Sequence, residues 1–323
     1  MAYKPIIVVA GEPNSIFTEI FFKSLKIKKF KSPIILIASL NLVKLQMKNL
    51  NIKKEIRNIN FLDIKNSNLD NKKINLIDIH FSQKKPFNKI SSKSNDYIKM
   101  SFDMALKILK NKFTNKFING PISKKFFLEK KYLGITEYLA DRTKTKKFAM
   151  LIYNKNLSVC PLTTHMPIKK VSKKITKKLI NDKVKLINNF FQKHFKLKPK
   201  IAITGLNPHC ESIEKINEDE KIIKPAIKSL ANSNFNVYGP FAADTIFLKK
   251  NRKKYKVVVG MYHDQVLGPM KAIYGFKAIN ITIGLPFLRV SPDHGPNEKM
   301  LGKNKSSPES LIEAINFYKK YAK

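Results

Sequence analysis

A chain of 323 residues, 43% of them hydrophobic, has the length for about two packed cores, which excludes a disordered or fibrous protein. Two cysteines make no disulfide framework, no apolar run approaches the ~18 residues of a membrane span, and the N-terminus lacks a signal-peptide pattern, so a cytoplasmic protein without a membrane partner is expected. The formal charge of +40 comes from 63 basic residues against 23 acidic, and all but four of the basic ones are Lys spread along the whole chain. A nucleic-acid reader clusters its charge and uses Arg for bidentate contacts. The charge is therefore read as a compositional bias on solvated faces, with no nucleic-acid partner expected, although such a field still draws in an anionic small substrate.

The run from Pro5 to Ala10 reads as a first strand that turns at Gly11-Glu12-Pro13, with a helix over Phe17–Ser24. Ser32–Ala38 is a second strand and Leu40–Asn49 a helix after it. Residues 51–95, rich in Lys, Asn and Ser, form a peripheral region with a short strand at Ile74–Ile79. Ile98, Phe102, Ala105, Leu106 and Leu109 carry the spacing of an amphipathic helix over Asn95–Asn111. Phe117-Ile118-Asn119 is a strand that breaks at Gly120-Pro121 and delivers Ser123 and Lys124. Strands over Phe148–Tyr153 and Leu157–Leu162 precede a long basic helix, Ile168–His194. Then come a strand over Ile201–Gly205, a helix over Asp219–Ala231, a strand over Asn236–Tyr238, the buried-looking Val257–Met261 and the apolar run Ala278–Leu285. Ser307-Pro308-Glu309 opens a terminal helix over Ser310–Tyr321. Strands alternating with helices predict an α/β protein with a largely parallel sheet.

Three of the six histidines share one context, each being the first strongly coordinating side chain after an apolar strand. His165 follows Leu157–Thr164, His209 follows Ile201–Pro208, and His263 follows Val257–Tyr262. A parallel sheet delivers such strand ends to one edge, where open α/β sheets bind ligands. Three imidazoles with open positions form a catalytic metal pattern, yet spacings of 44 and 54 residues match no compact zinc motif. Read singly, each histidine is a hydrogen-bonded loop residue; read together, they are a candidate ligand set. His80 and His194 lack the shared context. Asp244 and Asp264 suit an orienting carboxylate or a base, or the cap of a helix or turn. Lys271 and Arg289 suit a phosphate or carboxylate. No Gly-x-Gly-x-x-Gly follows the first strand, so an ordinary Rossmann site is not indicated. Cys210 beside His209 is not read as a nucleophile pair, because neighbours on an extended chain point apart.

Thr163–Pro167, Gly205–His209, Gly239-Pro240 with Ala243-Asp244-Thr245, Tyr262–Gln265, Asn280–Phe287 with Arg289, and Asp293-His294-Gly295 together resemble the 4-hydroxythreonine-4-phosphate dehydrogenase family of vitamin B6 biosynthesis, over nearly the whole chain. The resemblance implies two α/β domains flanking a cleft, as in isocitrate and isopropylmalate dehydrogenases. The first would hold residues 1–125 with about 265–323, the second about 126–264. It implies a homodimer whose subunits share active sites, and NAD bound without the glycine fingerprint. By position, His165, His209 and His263 would hold one divalent ion (Zn, Co or Mg). Ile135, Thr136, Lys271, Asn280 and Arg289 would meet a small phosphorylated amino-acid substrate, and Asp293, His294 and Gly295 the cofactor. The proton acceptor stays open among Asp244, Asp264 and Lys124. The implied reaction oxidises 4-phosphooxy-L-threonine at C3 with NAD, followed by loss of CO2 to give 3-amino-2-oxopropyl phosphate; a cation at the C3 oxygen would stabilise the charge developing there.

The chain departs from the family pattern at several points. Ile135 stands where the family has a substrate-contacting His, and isoleucine cannot hydrogen-bond a phosphate. Gly11-Glu12-Pro13-Asn14-Ser15-Ile16-Phe17 has lost two glycines, Asn119–Lys124 differs from the usual Thr-Ala-Pro-Ile-Asn-Lys, and Pro296-Asn297 replaces Thr-Ala. Three alternatives therefore stay open: a related dehydrogenase for another phosphorylated hydroxy acid, a hydrolase using the same histidines on a bound water, and a basic nucleic-acid-binding protein without catalysis.

Overall fold

In the computed structural model, which describes residues 3–128, 131–213, 217–292 and 294–321, the apolar runs become strands and the amphipathic ones helices. The strands are β1 (Ile6–Val9), β2 (Ile34–Ala38), β3 (Ile56–Asn58), β4 (Ile74–Asp78), β5 (Lys116–Asn119), β6 (Ala149–Tyr153), β7 (Ser158–Pro161), β8 (Ile201–Thr204), β9 (Val237–Phe241), β10 (Val257–Gly260), β11 (Ile279–Ile283) and β12 (Leu288–Ser291). The helices are α1 (Phe17–Ile27), α2 (Leu40–Asn49), α3 (Asn95–Lys110), α4 (Ile135–Arg142), α5 (Lys177–Phe195), α6 (Lys224–Asn232), α7 (Ala243–Ile246), α8 (Lys249–Arg252), α9 (His263–Tyr274) and α10 (Glu309–Tyr321). The chain divides into two units, Met1–Ile135 with Pro286–Lys323, and Thr136–Leu285.

In the first unit the strand order is β3-β4-β2-β1-β5-β12, every pair parallel. β1 and β2 are continuous Ile/Val/Leu/Ala runs buried along their whole length, as strands covered on both faces must be. Helix α3 packs on β1 and β2, while α10 packs on α1 and β12. Tyr318 of α10 ties β5 to β12: its hydroxyl accepts from Phe117 N at 3.1 Å and lies 2.6 Å from Phe117 O and 2.8 Å from Leu288 O. Burial pushes that phenol far above its ordinary range.

In the second unit the order is β11-β6-β7-β10-β8-β9. β7, β10, β8 and β9 run parallel, whereas β6 is antiparallel to both β7 and β11. Val159, Ala202, Val258, Val266 and Met270 belong to one buried cluster that seats α9 against these strands. Two readings of the sequence change here. The long basic helix starts at Lys177 rather than near residue 168, because Thr176 Oγ1 caps Leu179 N at 3.1 Å and the residues before it form two short 3-10 turns. His263 does not sit in a loop but opens α9, a helix that tolerates Gly268 and Pro269 in its interior. Among the described residues no helix is long and apolar enough to cross a membrane.

Two measurements probe this framework. Tyr318→Phe removes the acceptor of Phe117 N and the one hydroxyl proton available to the Phe117 and Leu288 carbonyls, which costs about 1–3 kcal/mol in a denaturant titration; an unchanged midpoint would show that the hydroxyl contributes nothing. Glu12, just past β1, is only 1% exposed. Burial pushes its carboxyl above the ordinary value of 4.5, opposed by bonds from Asn14 N and Ser94 Oγ and aided by the charge of Glu298. The folded state therefore keeps a proton that the unfolded chain releases, and stability from this group falls as pH rises from 4.5 through the raised value. Glu12→Gln is expected to raise the thermal midpoint at neutral pH, with the gain fading below pH ~4 where the carboxyl is neutral in both states.

Candidate active site

β10 lies between β7 and β8, with Val259 opposite both Cys160 and Ile203, so the three strand ends fall on one line. The sequence then continues for a few residues to His165, His209 and His263. The His165 and His263 rings, both half-buried, have centroids 5.4 Å apart and planes tilted by 43°. His263 Nδ1 is 2.6 Å from Asp264 Oδ1; donation from that nitrogen leaves Nε2 as the coordinating one. On the His165 side, Thr164 Oγ1 donates to Glu137 Oε1 at 3.2 Å, and the other Glu137 oxygen is buried with no partner among the described residues. His209 behaves differently: it is exposed, with a left-handed φ of 57°. Among the described residues no three His, Cys, Asp or Glu side chains of one chain surround a common point suited to a metal. One chain thus brings together two of the three expected ligands.

Three buried polar side chains hold these loops. Thr163 bonds Met261 O through both its N (3.2 Å) and its Oγ1 (2.8 Å), joining the ends of β7 and β10. Gln265, in the first turn of α9, accepts from Met261 N at 2.6 Å and Thr204 Oγ1 at 2.9 Å and donates to Gly205 O at 2.8 Å. Asp219, wholly buried, accepts from Leu206 N at 2.9 Å, Asn207 N at 3.0 Å and Asn207 Nδ2 at 2.8 Å.

The remaining expected residues divide between the units. In the second, Thr136 Oγ1 is 3.4 Å from Thr282 Oγ1, and Asn280 shares that face of β11 with a buried Oδ1 that has no partner among the described residues. Lys271 lies two turns beyond His263 on α9, its Nζ 5.0 Å from the Phe276 ring centre. Asp264 is solvent-facing apart from its bond to His263, and exposed Asp244, on α7, stands close enough to raise the Cys210 thiol. In the first unit, half-buried Ile135 opens α4 and Lys124 is exposed beyond β5. Arg289 is 1% exposed on β12, with Nε donating to Asn119 Oδ1 at 2.8 Å. His294 packs 6.4 Å from the Phe17 ring, and exposed Gly295 precedes Pro296, whose carbonyl accepts from Ile16 N at 3.1 Å. That puts His294 and Gly295 beside the β1–α1 turn at the carboxyl edge of the first unit's sheet; Asp293 lies outside the described residues. Burial pushes the Cys160 thiol up to about 11 and also raises that of Cys210, so neither supplies a thiolate at neutral pH.

Glu137, Thr163, Gln265 and Asp219 were not singled out from the sequence. Thr163 and Gln265 sit inside the motifs quoted above and Glu137 directly follows Thr136, which was the available signal. Asp219 reads in sequence only as the start of an acidic helical segment and opens a helical turn, Asp219–Ile223, so nothing in the sequence marks its role.

Residues 29–318 match the family described as pyridoxal phosphate biosynthetic protein PdxA. The 4-hydroxythreonine-4-phosphate dehydrogenase of Sulfurihydrogenibium sp. (strain YO3AOP1) is 39% identical over 318 residues, 95% of each chain. The crystal structure of 4-hydroxythreonine-4-phosphate dehydrogenase from Klebsiella pneumoniae is similar, with a TM-score of 0.83 and 27% identity, over 97% of this chain and 98% of that one. An isocitrate dehydrogenase from Methylococcus capsulatus, 9% identical with a TM-score of 0.51 over 98% of this chain and 85% of that one, shares the fold alone. The shared strand ends, the motifs that follow them and the breadth of the match agree: the chain belongs to the PdxA family of pyridoxal phosphate biosynthetic proteins.

Proposed function

We propose that this member of the family is an NAD- and divalent-metal-dependent dehydrogenase that oxidises 4-phosphooxy-L-threonine at C3 and releases CO2 from the product, acting in the cytoplasm as a homodimer. The observation that carries the reading is the approach of His165 and His263 at neighbouring parallel strand ends. The donor set fits a divalent cation: two imidazoles 5.4 Å apart, one oriented by a carboxylate, with a Glu137 oxygen beside the loop of the other that has no hydrogen-bond partner among the described residues. A cation held there with His209 would act as a Lewis acid toward the C3 oxygen. His209 stands away from the pair in a single chain, so the third ligand is assigned to a second copy, and the site to a shared one.

The residues then divide the work. Lys271 and Arg289 neutralise the phosphate or carboxylate, and Thr136 and Asn280 offer oxygens that fix the substrate's orientation. His294 and Gly295, at the carboxyl edge of the first unit's sheet, are assigned to the dinucleotide, and NAD when bound would supply the hydride acceptor. C3 would lose its hydrogen as hydride to bound NAD, and its hydroxyl would give its proton to a base among Asp244, Asp264 and Lys124; of these, Asp264 already bonds His263 Nδ1. The resulting 3-keto acid loses its carboxylate as CO2, and a proton is delivered to C2, which gives 3-amino-2-oxopropyl phosphate. Ile135 favours a second reading, in which the same machinery serves another phosphorylated hydroxy acid, because it replaces a hydrogen-bonding side chain with an apolar one.

NADH formation with 4-phosphooxy-L-threonine, NAD and Zn, Co or Mg tests the proposal, with loss on chelation expected; turnover only with a different phosphorylated hydroxy acid would favour the second reading, and product without NADH a hydrolase. Substituting His165, His209 or His263 by Ala is expected to lower kcat/KM by ~100-fold or more. Mixing His209→Ala with His263→Ala should restore roughly a quarter of the wild-type rate, since half the dimers are mixed and each has one intact site. No recovery on mixing would mean that the three ligands come from one chain.

A further inference from the structure

The loop from Gly205 to Cys210 carries His209 but is anchored by groups outside the expected ligand set. Gln265 grips its root: one side-chain amide bonds Gly205 O, Thr204 Oγ1 and Met261 N, so the loop after β8 and the strand end leading to His263 share a single anchor. Asp219 grips its middle, taking both backbone N–H groups of Leu206 and Asn207 and the Asn207 amide. The fit is close, since a Cβ on Gly205 would come within 2.6 Å of Asp219 Oδ1 and 2.7 Å of Cys210 Sγ. Just past these anchors the backbone takes two successive left-handed residues, His209 (φ 57°) and Cys210 (φ 63°), neither of them glycine. Such a pair persists only where the surroundings over-determine it. Cys210 is buried under the loop while His209 is exposed, so the anchored turn presents the imidazole outward, apart from the His165–His263 pair.

We propose that Gln265 and Asp219 are positioning residues of the metal site: they hold the 205–210 loop in the one conformation that offers His209 to the site of a second subunit. The inference rests on the metal reading above and deepens it, because it names what fixes the third ligand. Thr163 holds the His165 loop through Met261 O, and Gln265 bonds the same residue through Met261 N, whereas Asp219 bonds only Leu206 and Asn207, so Asp219 can be altered without touching the anchors of His165.

The test is a Co(II) titration of the full-length metal-free protein, followed by visible absorption of the bound ion. Wild type, Gln265→Met, Asp219→Asn and a control, Val258→Ala, are compared. Val258 is fully buried in the core cluster of the same unit and its substitution removes none of the anchoring bonds, so it matches loss of stability without loss of anchoring. Far-UV circular dichroism and thermal midpoints show which variants are folded, and Asp219→Asn, which touches the 205–210 loop alone, separates the His209 anchor from the Met261 bond that Gln265→Met also removes. The expected result is a ~10–100-fold loss of cobalt affinity in Gln265→Met and Asp219→Asn, with a weaker and altered absorption band and wild-type affinity in Val258→Ala. Anchoring variants that bind cobalt like the wild type, or no worse than the control, overturn the inference and leave the metal reading standing. A wild-type protein that binds no cobalt overturns the metal reading, and this inference with it.

Discussion

Parallel pairing of β10 with β7 on one side and β8 on the other sets the chemistry of this protein, because it alone brings residues separated by 44 and 54 positions to one edge. The pairing is specified by side chains rather than by the histidines. Val257, Val258 and Val259 are all wholly buried, and slipping a strand by one residue would turn its side chains to the opposite faces. Gly260 admits the first turn of α9 closely: a Cβ there would meet Val266 Cγ1 at 2.3 Å. Packing thus decides where His263 starts its helix, and the strand register decides which loop stands beside it.

Apolar burial positions strands, but it cannot position the loops beyond them, which carry polar backbone groups that need partners. Thr163, Gln265 and Asp219 supply those partners from within the fold. A buried amide or carboxylate with every bond made rigidifies its surroundings, and one with a bond missing is costly. The loops at this edge are therefore held to particular conformations, and the site inherits that rigidity. Among the described residues, Glu137 and Asn280 each keep a buried side-chain oxygen without a hydrogen-bond partner, and both lie on segments proposed above for ligand binding.

Much of this was readable in the sequence, for reasons that differ by element. β1, β2 and β10 are short unbroken apolar runs ended by glycine or a polar turn, so their existence follows from composition. The shared context of the three histidines followed from the same runs. Helix α9 was not readable, because Gly268 and Pro269 inside it look like a break, whereas packing against β7 and β10 sustains it. The start of α5 was misplaced because a run of Lys and Ile carries helical spacing on both sides of Thr176, and only the cap separates them. β6 and β11 read as ordinary members of a parallel sheet, and nothing local to them announces antiparallel pairing. Asp219 illustrates the general limit: in sequence an acid near other acids looks solvated, and only the folded loop shows three donors turned toward it.

The separation of His209 from the other two histidines in one chain turns the account into a statement about assembly. Crystals of the cobalt-loaded protein, measured at the cobalt absorption edge, test it most directly. The account predicts one anomalous peak per subunit, within bonding distance of His165 and His263 of one protomer and of a His209 supplied by its partner. A peak elsewhere, or a cation enclosed by ligands of one protomer alone, would contradict it.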